Sequence, residues 1–132
     1  MVFEALRAFL REYIDSFESL EVLLLLRRER TACTAEELCR RLKTRGPLID
    51  DALASLVRAC LVNTDQGMLT LYTYADEDSA RDAIVGSLER VYRDEPIRIM
   101  QLMTANAIER LRTSTIRAFA DAFVVRKDKG RG

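Results

Sequence analysis

The sequence predicts a mainly α-helical single domain that carries one small β-hairpin. Three observations lead there. Apolar residues return every three or four positions along most of the chain, the mark of amphipathic helices. One stretch, "LVNTDQGMLTLYTY" (61–74), switches to strand-like alternation around a turn signal. Finally, 132 residues, 48% of them hydrophobic, suit one domain with a real core and exclude a disordered chain.

The elements follow in order. Phe3, Leu6, Leu10, Tyr13, Phe17 and Leu20 form one stripe, with Glu4, Arg7, Arg11, Glu12 and Asp15 between them. Such a first helix fits either its own domain's core or a second copy of the chain. A second helix begins where Asp15 with Glu18, or Ser16 with Ser19, supplies a first-turn cap. Leu20 and Leu23 to Leu26 make it apolar nearly all round, as a central buried helix must be. Arg27, Arg28 and Arg30 close it, where cations suit the helix dipole. Beyond a loop holding Thr31 and Cys33, Thr34 and Glu37 have capping-box spacing for a third helix, with Ala35, Leu38 and Leu42 facing inward. Gly46 is expected to end that helix and Pro47 to open the fourth. There Ile49, Ala52, Leu53, Leu56, Val57 and Cys60 make the buried stripe, leaving Pro47, Asp50, Asp51, Ala54, Ser55 and Arg58 outside.

In the hairpin, two β-prone runs flank "NTDQG", and Gly67 is expected to supply the positive φ of a tight turn. Asp76 or Asp78 can cap the next helix, whose Ala80, Ile84, Leu88 and Val91 share a face. Pro96 breaks that helix and starts "PIRIMQLMTANAIERL"; Thr113 or Ser114 is a candidate interruption before "RTSTIRAFADAFVV", with Ile116, Phe119, Ala120 and Phe123 apolar. Met100, Leu102, Met103, Phe119 and Phe123 could line an effector pocket, although plain core packing is the commoner use of such residues. No internal repeat or linker is evident. The single domain divides into an N-terminal helix (1–16), a core (17–74), C-terminal helices (75–125) and a frayed basic tail (126–132).

Charge narrows the function. The 21 basic and 21 acidic residues cancel, which removes the simplest argument for nucleic acid. Their distribution is uneven: residues 63–97 carry three basic and eight acidic, residues 98–132 eight basic and three acidic. With no histidine, Ser-His-Asp, Cys-His and histidine-zinc chemistries are excluded. Cys33, Cys39 and Cys60 lack CxxC spacing and read as free thiols; Cys39 and Cys60 suit core packing, and loop-placed Cys33 is the one candidate reactive thiol. No Gly-rich phosphate loop or metal-ligand cluster occurs, and the pairs Glu36/Glu37 and Asp50/Asp51 are neighbours whose side chains diverge on a helix. The sequence therefore predicts no enzyme and no cofactor. The apolar run "VLLLL" (22–26) is far too short to span a bilayer, and nothing resembles a targeting segment, so a cytoplasmic protein is expected.

Helix, helix, turn, helix, hairpin over residues 17 to 74, most specifically "TAEELCRRLKTRGPLIDDALASLVRACLV" and the wing after it, resembles the winged helix-turn-helix of bacterial transcriptional regulators of the MarR and ArsR groups. The ending "FADAFVVRKDK" is similar to that of small bacterial winged-helix proteins. The resemblance implies a winged helix-turn-helix with N- and C-terminal helical extensions, double-stranded DNA as partner, and a homodimer built from the first and the C-terminal helices. It places Thr44, Arg45 and Pro47 at the DNA surface, Arg40, Arg41 and Lys43 close by, and Gln66 at the wing tip. Base readout would fall to Asp50, Asp51, Ala54, Ser55 and Arg58. That set is poor in the Arg, Lys, Asn and Gln donors that match base edges, so direct readout should be weak and phosphate contacts dominant. The alternative is a winged-helix adaptor that binds no DNA and offers its Asp50/Asp51 face to a protein partner.

Overall fold

A computed structural model describes the backbone of residues 2–129 and the side chains of residues 3–122. Helices α1 (Val2–Tyr13), α2 (Phe17–Glu29), α3 (Ala35–Leu42) and α4 (Gly46–Arg58) lead into strands β1 (Val62–Gln66) and β2 (Thr70–Tyr74). Helices α5 (Ser79–Asp94) and α6 (Pro96–Lys129) follow.

The core is built around α2. Ser16 caps it, its hydroxyl accepting from the Ser19 amide at 3.1 Å. Every residue from Val22 to Leu26 is buried, so no side of this segment faces water. α3, α4 and β2 all pack on it. Each such aliphatic side chain contributes roughly 1.5–3 kcal/mol when taken from water. α1 turns inward too, burying Leu6, Phe9 and Leu10 with Ile14 just beyond its end. Of the two uses the first helix allowed, the structure shows packing on its own domain. Its C-terminal end is held by Arg110 of α6, whose Nη2 donates to the Arg11 and Ile14 carbonyls at 2.9 and 3.1 Å. These carbonyls lack helical partners, and a cation suits the negative end of the dipole.

Several boundaries differ from the sequence expectation. Thr34 caps α3, but Glu37 returns its carboxylate to the Thr34 hydroxyl (3.2 Å) rather than to a backbone amide. Lys43, in a left-handed conformation (φ 52°), ends α3, whereas Gly46 is already the first residue of α4. α4 stops at Arg58 through a left-handed Cys60 (φ 61°), with Cys60 N–H bonding Val57 O and Leu61 N–H bonding Leu56 O. That is a Schellman stop at a position usually held by glycine. It swings Cys60 out to solvent and gives its expected buried slot to Leu61. The hairpin pairs Val62 with Tyr74 through to Gln66 with Thr70, so β1 runs straight through "NTDQ". Its three-residue turn spreads the reversal, and Gly67 has no positive φ.

Cys33 is not in an open loop. Its backbone exchanges hydrogen bonds with Tyr72 at 3.0 and 2.8 Å, adding a one-residue third strand to the wing, and its side chain is buried. α6 passes Thr113 and Ser114 without a break, since these residues lower helix propensity only mildly. Among the described residues, the candidate pocket residues are not gathered into one site. Leu102 and Met103 pack on the core, Met100 and Phe119 point outward, and the Phe123 side chain lies outside the described residues.

One polar cluster ties the C-terminal helices to this core. Arg27, at the end of α2, donates to Asp82 at 3.0 Å and to Glu89 at 2.6 Å, both on α5. Tyr74 of β2 donates its hydroxyl to the same Asp82 oxygen at 2.7 Å. Gly86 makes the space: a Cβ there would lie 2.9 Å from the Arg27 guanidinium. The Tyr74 hydrogen bond, then that from Arg27, holds the Asp82 carboxyl below its ordinary value of 3.8. Burial, with Asp82 beside it, pushes the Tyr74 phenol up to about 12.

Removing the cation should strand two half-buried carboxylates. Arg27→Met is expected to lower stability by about 2 kcal/mol in urea denaturation, below the full buried-pair figure because water reaches the site. The signs with pH differ for the two neighbours. Asp82 stabilises the fold above the ordinary carboxylate range, and this is lost as pH falls through its depressed value. Tyr74 stabilises below its ordinary value of 10, and this is lost as pH rises towards 12. Asp82→Asn should flatten the acid limb of a stability–pH curve; an unchanged limb would show that the carboxylate does not act this way.

Candidate nucleic-acid interface

Packing of α4 on α2 and α3 fixes which of its faces meets water. Ile49, Ala52, Leu53 and Leu56 point in; Pro47, Asp50, Asp51, Ala54 and Arg58 point out. Between this outer face and the wing runs an open groove of about 410 Å³, lined by Asp50, Ala54, Val57, Arg58, Thr64, Gln66 and Tyr72 among others. The α4 N-terminus lies at the end of the α3–α4 turn. Arg45 is its N-cap and makes no side-chain cap bond, and Pro47 occupies the first turn.

The expected site residues separate into three groups. Arg40, Lys43 and Arg45 are exposed around the start of α4, and Arg58 is exposed in the groove. None of the four takes part in an ion pair among the described residues. Arg41 is different: its Nη2 lies 2.6 Å from Glu29 at the end of α2. The hydrogen bond and charge of Arg41 hold the Glu29 carboxyl below its usual range, so this arginine is partly committed within the chain. Thr44 donates its hydroxyl to the Leu42 carbonyl at 3.0 Å, which uses it to shape the turn. Ser55 leans away from the groove, with Oγ 3.5 Å from Asp15, which also accepts from Ser19. A step of 100° around the helix separates it from Ala54 and the outer face. Gln66 lines the groove as the last residue of β1; the tip itself is Gly67, Met68 and Leu69.

Sequence reasoning missed Thr64 and Tyr72 in the groove, and Met68 and Leu69 as an apolar tip. Met68 is fully exposed. The signal for the first pair was the hairpin register, which sets Thr64 opposite Tyr72. The electrostatics are mixed. Asp50 and Arg58 balance within the groove, whereas the wing adds Asp65 and no Lys or Arg occurs from Ala59 to Ala80. The cationic part of the surface is therefore the α3–α4 turn, at the positive end of the α4 dipole.

No protein-family model matches the chain, and no curated protein does. Solved structures do match in fold. The ST1889 protein of the thermoacidophilic archaeon Sulfolobus tokodaii superposes with a TM-score of 0.51 at 18% identity, covering 67% of this chain and 90% of that one. Reduced HlyU from Vibrio cholerae gives 0.51 at 22% identity, covering 70% and 90%. The adhesin competence repressor AdcR of Streptococcus pyogenes gives 0.48 at 15% identity, covering 82% and 81%. On the first two superpositions the chain has the winged helix-turn-helix fold expected from its sequence, and at these identities the likeness is one of fold alone.

The placement of the cysteines gives a direct check on this geometry. Burial raises the Cys33 thiol pKa, whereas Cys60 is open to solvent. In native protein a thiol reagent should modify Cys60 first and Cys33 only on unfolding. Mass mapping that found Cys33 labelled as fast as Cys60 would contradict the wing bridge.

Proposed function

We propose that the chain is a DNA-binding regulator that acts as a homodimer and holds duplex DNA mainly by its phosphates. The observation that carries this reading is the exposed α4 with Arg40, Lys43 and Arg45 gathered at its N-terminal end, outside any ion pair among the described residues. A helix N-terminus and nearby cations together suit a phosphate. The outer face of α4 supports little direct base reading. Its carboxylates, Asp50 and Asp51, repel phosphate, and Arg58 is its one long donor. Base-edge contacts specify and phosphate contacts position, so affinity should exceed discrimination. The fold-level resemblance to winged-helix regulators favours the same reading. No described helix is long and apolar enough to cross a membrane.

A second reading, a protein-docking adaptor, has its own support. The wing carries Asp65 and no cation, its tip is apolar, and Asp50 and Asp51 face outward. Such a surface suits a basic partner better than a second phosphate strand.

Salt dependence separates the two. Anisotropy titrations with mixed-sequence duplexes of about 25 base pairs should show binding at 50 mM salt that weakens steeply by 200 mM. Lys43→Ala with Arg45→Ala removes two cations from each protomer, so in the dimer it should lower the salt slope by roughly four and cut affinity about a hundredfold, nearly equally for all sequences. Absence of binding at 50 mM salt, together with capture of a stoichiometric basic protein by the Asp50/Asp51 face, would replace the first reading with the second.

A further inference from the structure

α6 has two faces. Towards the body of the protein it buries Ile99 and Asn106, and packs Leu102 and Met103 against the core. On the opposite side, Ile97, Met100, Ile108, Leu111 and Phe119 are between 46% and 73% exposed. At 100° per residue these five fall within a stripe about 100° wide, completed by exposed Thr104, Thr115 and Ala122. The order Ile97, Met100, Thr104, then Ile108, Leu111, Thr115, then Phe119, Ala122 repeats every eleven residues. An eleven-residue period stays on one side of a nearly straight helix. Its steps of 3-4-4-3-4-4-3 read the same in either direction.

We propose that this stripe pairs with the same stripe of a second copy in antiparallel orientation, the two-fold axis passing between Ile108 and Leu111. Ile108 then lies opposite Leu111 of the other copy, Thr104 opposite Thr115, Met100 opposite Phe119 and Ile97 opposite Ala122. The inference rests on the homodimer in the reading above and is independent of DNA binding.

Three observations select this occupant. First, every described side chain from Leu111 to Ala122 is exposed, and a helical extension of this length without packing is marginal in water. Second, the exposed stripe presents on the order of 600 Å² per copy, so a pair would bury about 1,200 Å², the lower bound for a stable interface. Third, charge favours one polarity. Around the start of the helix Asp94 and Glu95 are balanced by Arg93 and Arg98, each pair 3.4 Å apart. The sequence of its far end, Arg126, Lys127, Asp128 and Lys129, is net positive. Antiparallel pairing sets each basic end beside the neutral end of the other copy; parallel pairing stacks the two basic ends. The outer face of α1 takes no part in the apolar seam. It holds Glu4, Ala5, Arg7, Ala8, Arg11 and Glu12, and Arg7 and Arg11 face Glu109. The dimer expected from both terminal helices is thereby assigned to α6 alone.

The test is made on the full chain. Sedimentation equilibrium at ~20 µM should give twice the monomer mass, and Ile108→Glu with Leu111→Glu should give the monomer, with cooperative urea unfolding of the core retained and helical circular dichroism lowered by no more than the unpaired end of α6. A monomeric unmodified chain, or a dimer that survives the double substitution, overturns the surface. Polarity is read by oxidation in a Cys39→Ser, Cys60→Ser background. Met100→Cys mixed with Phe119→Cys should cross-link. Met100→Cys alone should not, because its two copies would stand roughly 28 Å apart. Self-cross-linking of Met100→Cys overturns the antiparallel arrangement. A chain that passes these tests yet fails to bind DNA removes the DNA reading alone, and a monomer that binds DNA removes this inference together with the homodimer it rests on, leaving DNA binding in place.

Discussion

The structure depends on the burial of one segment of α2, Val22–Leu26, from every side. A segment apolar all round has no solvent face to orient it, so its neighbours must enclose it, and α3, α4 and β2 pack on the helix that carries it. That requirement sets the direction of α4. The stripe of Ile49, Ala52, Leu53 and Leu56 can reach α2 in one orientation only, and the opposite face is left outward by default. The exposed face of the helix-turn-helix is thus a by-product of core packing. Where the buried helix ends, Arg27 must be neutralised, and the Asp82, Glu89 and Tyr74 cluster does this while joining α5 and the wing to the core. Gly86 is tied to the same demand, since a side chain there would meet the guanidinium.

On that scaffold, shape and charge give different instructions. The shape is that of a winged helix with an open groove beside its outward helix. The charge places cations at the α3–α4 turn, mixed signs in the groove and no cation on the wing. A phosphate backbone therefore has one good anchor per protomer, and two copies would supply two. This links the DNA reading to assembly, because long-range attraction to phosphate grows with the number of cations engaged. It also explains why an adaptor role uses the same surfaces: the region that repels a phosphate strand is suited to a basic protein.

Much of this was legible in the chain. The capping signals of Ser16, Thr34 and Asp78, the all-round leucines of α2 and the outward Asp50, Asp51 and Arg58 follow from rules with a range of about one helical turn. Less legible were features in which two distant segments compete for one group. Cys33 looks like a loop residue until Tyr72 offers it a strand partner. Arg41 and Ser55 look like ligands for DNA until Glu29 and Asp15 stand beside them. Gly46 is a plausible helix stop, but Lys43 takes the left-handed position three residues sooner. The eleven-residue stripe of α6 was hidden by the expected break at Thr113 or Ser114, because a period is visible only along a continuous helix.

The sequence by itself determined the succession of helices, the hairpin, the buried leucines of α2, the inward Leu38 of α3, the inward Ile49, Ala52, Leu53 and Leu56 of α4, and the absence of net charge and histidine. These are set by periodicity, capping and composition, each read from nearby residues. Tertiary structure alone decided that α1 lies on its own core, that Cys60 leaves the core and Cys33 enters it, and which cations stay outside ion pairs. It also decided that the outer stripe of α6 is left bare. The physical reason is that burial and pairing belong to contacts between segments, which form only when the whole chain has folded.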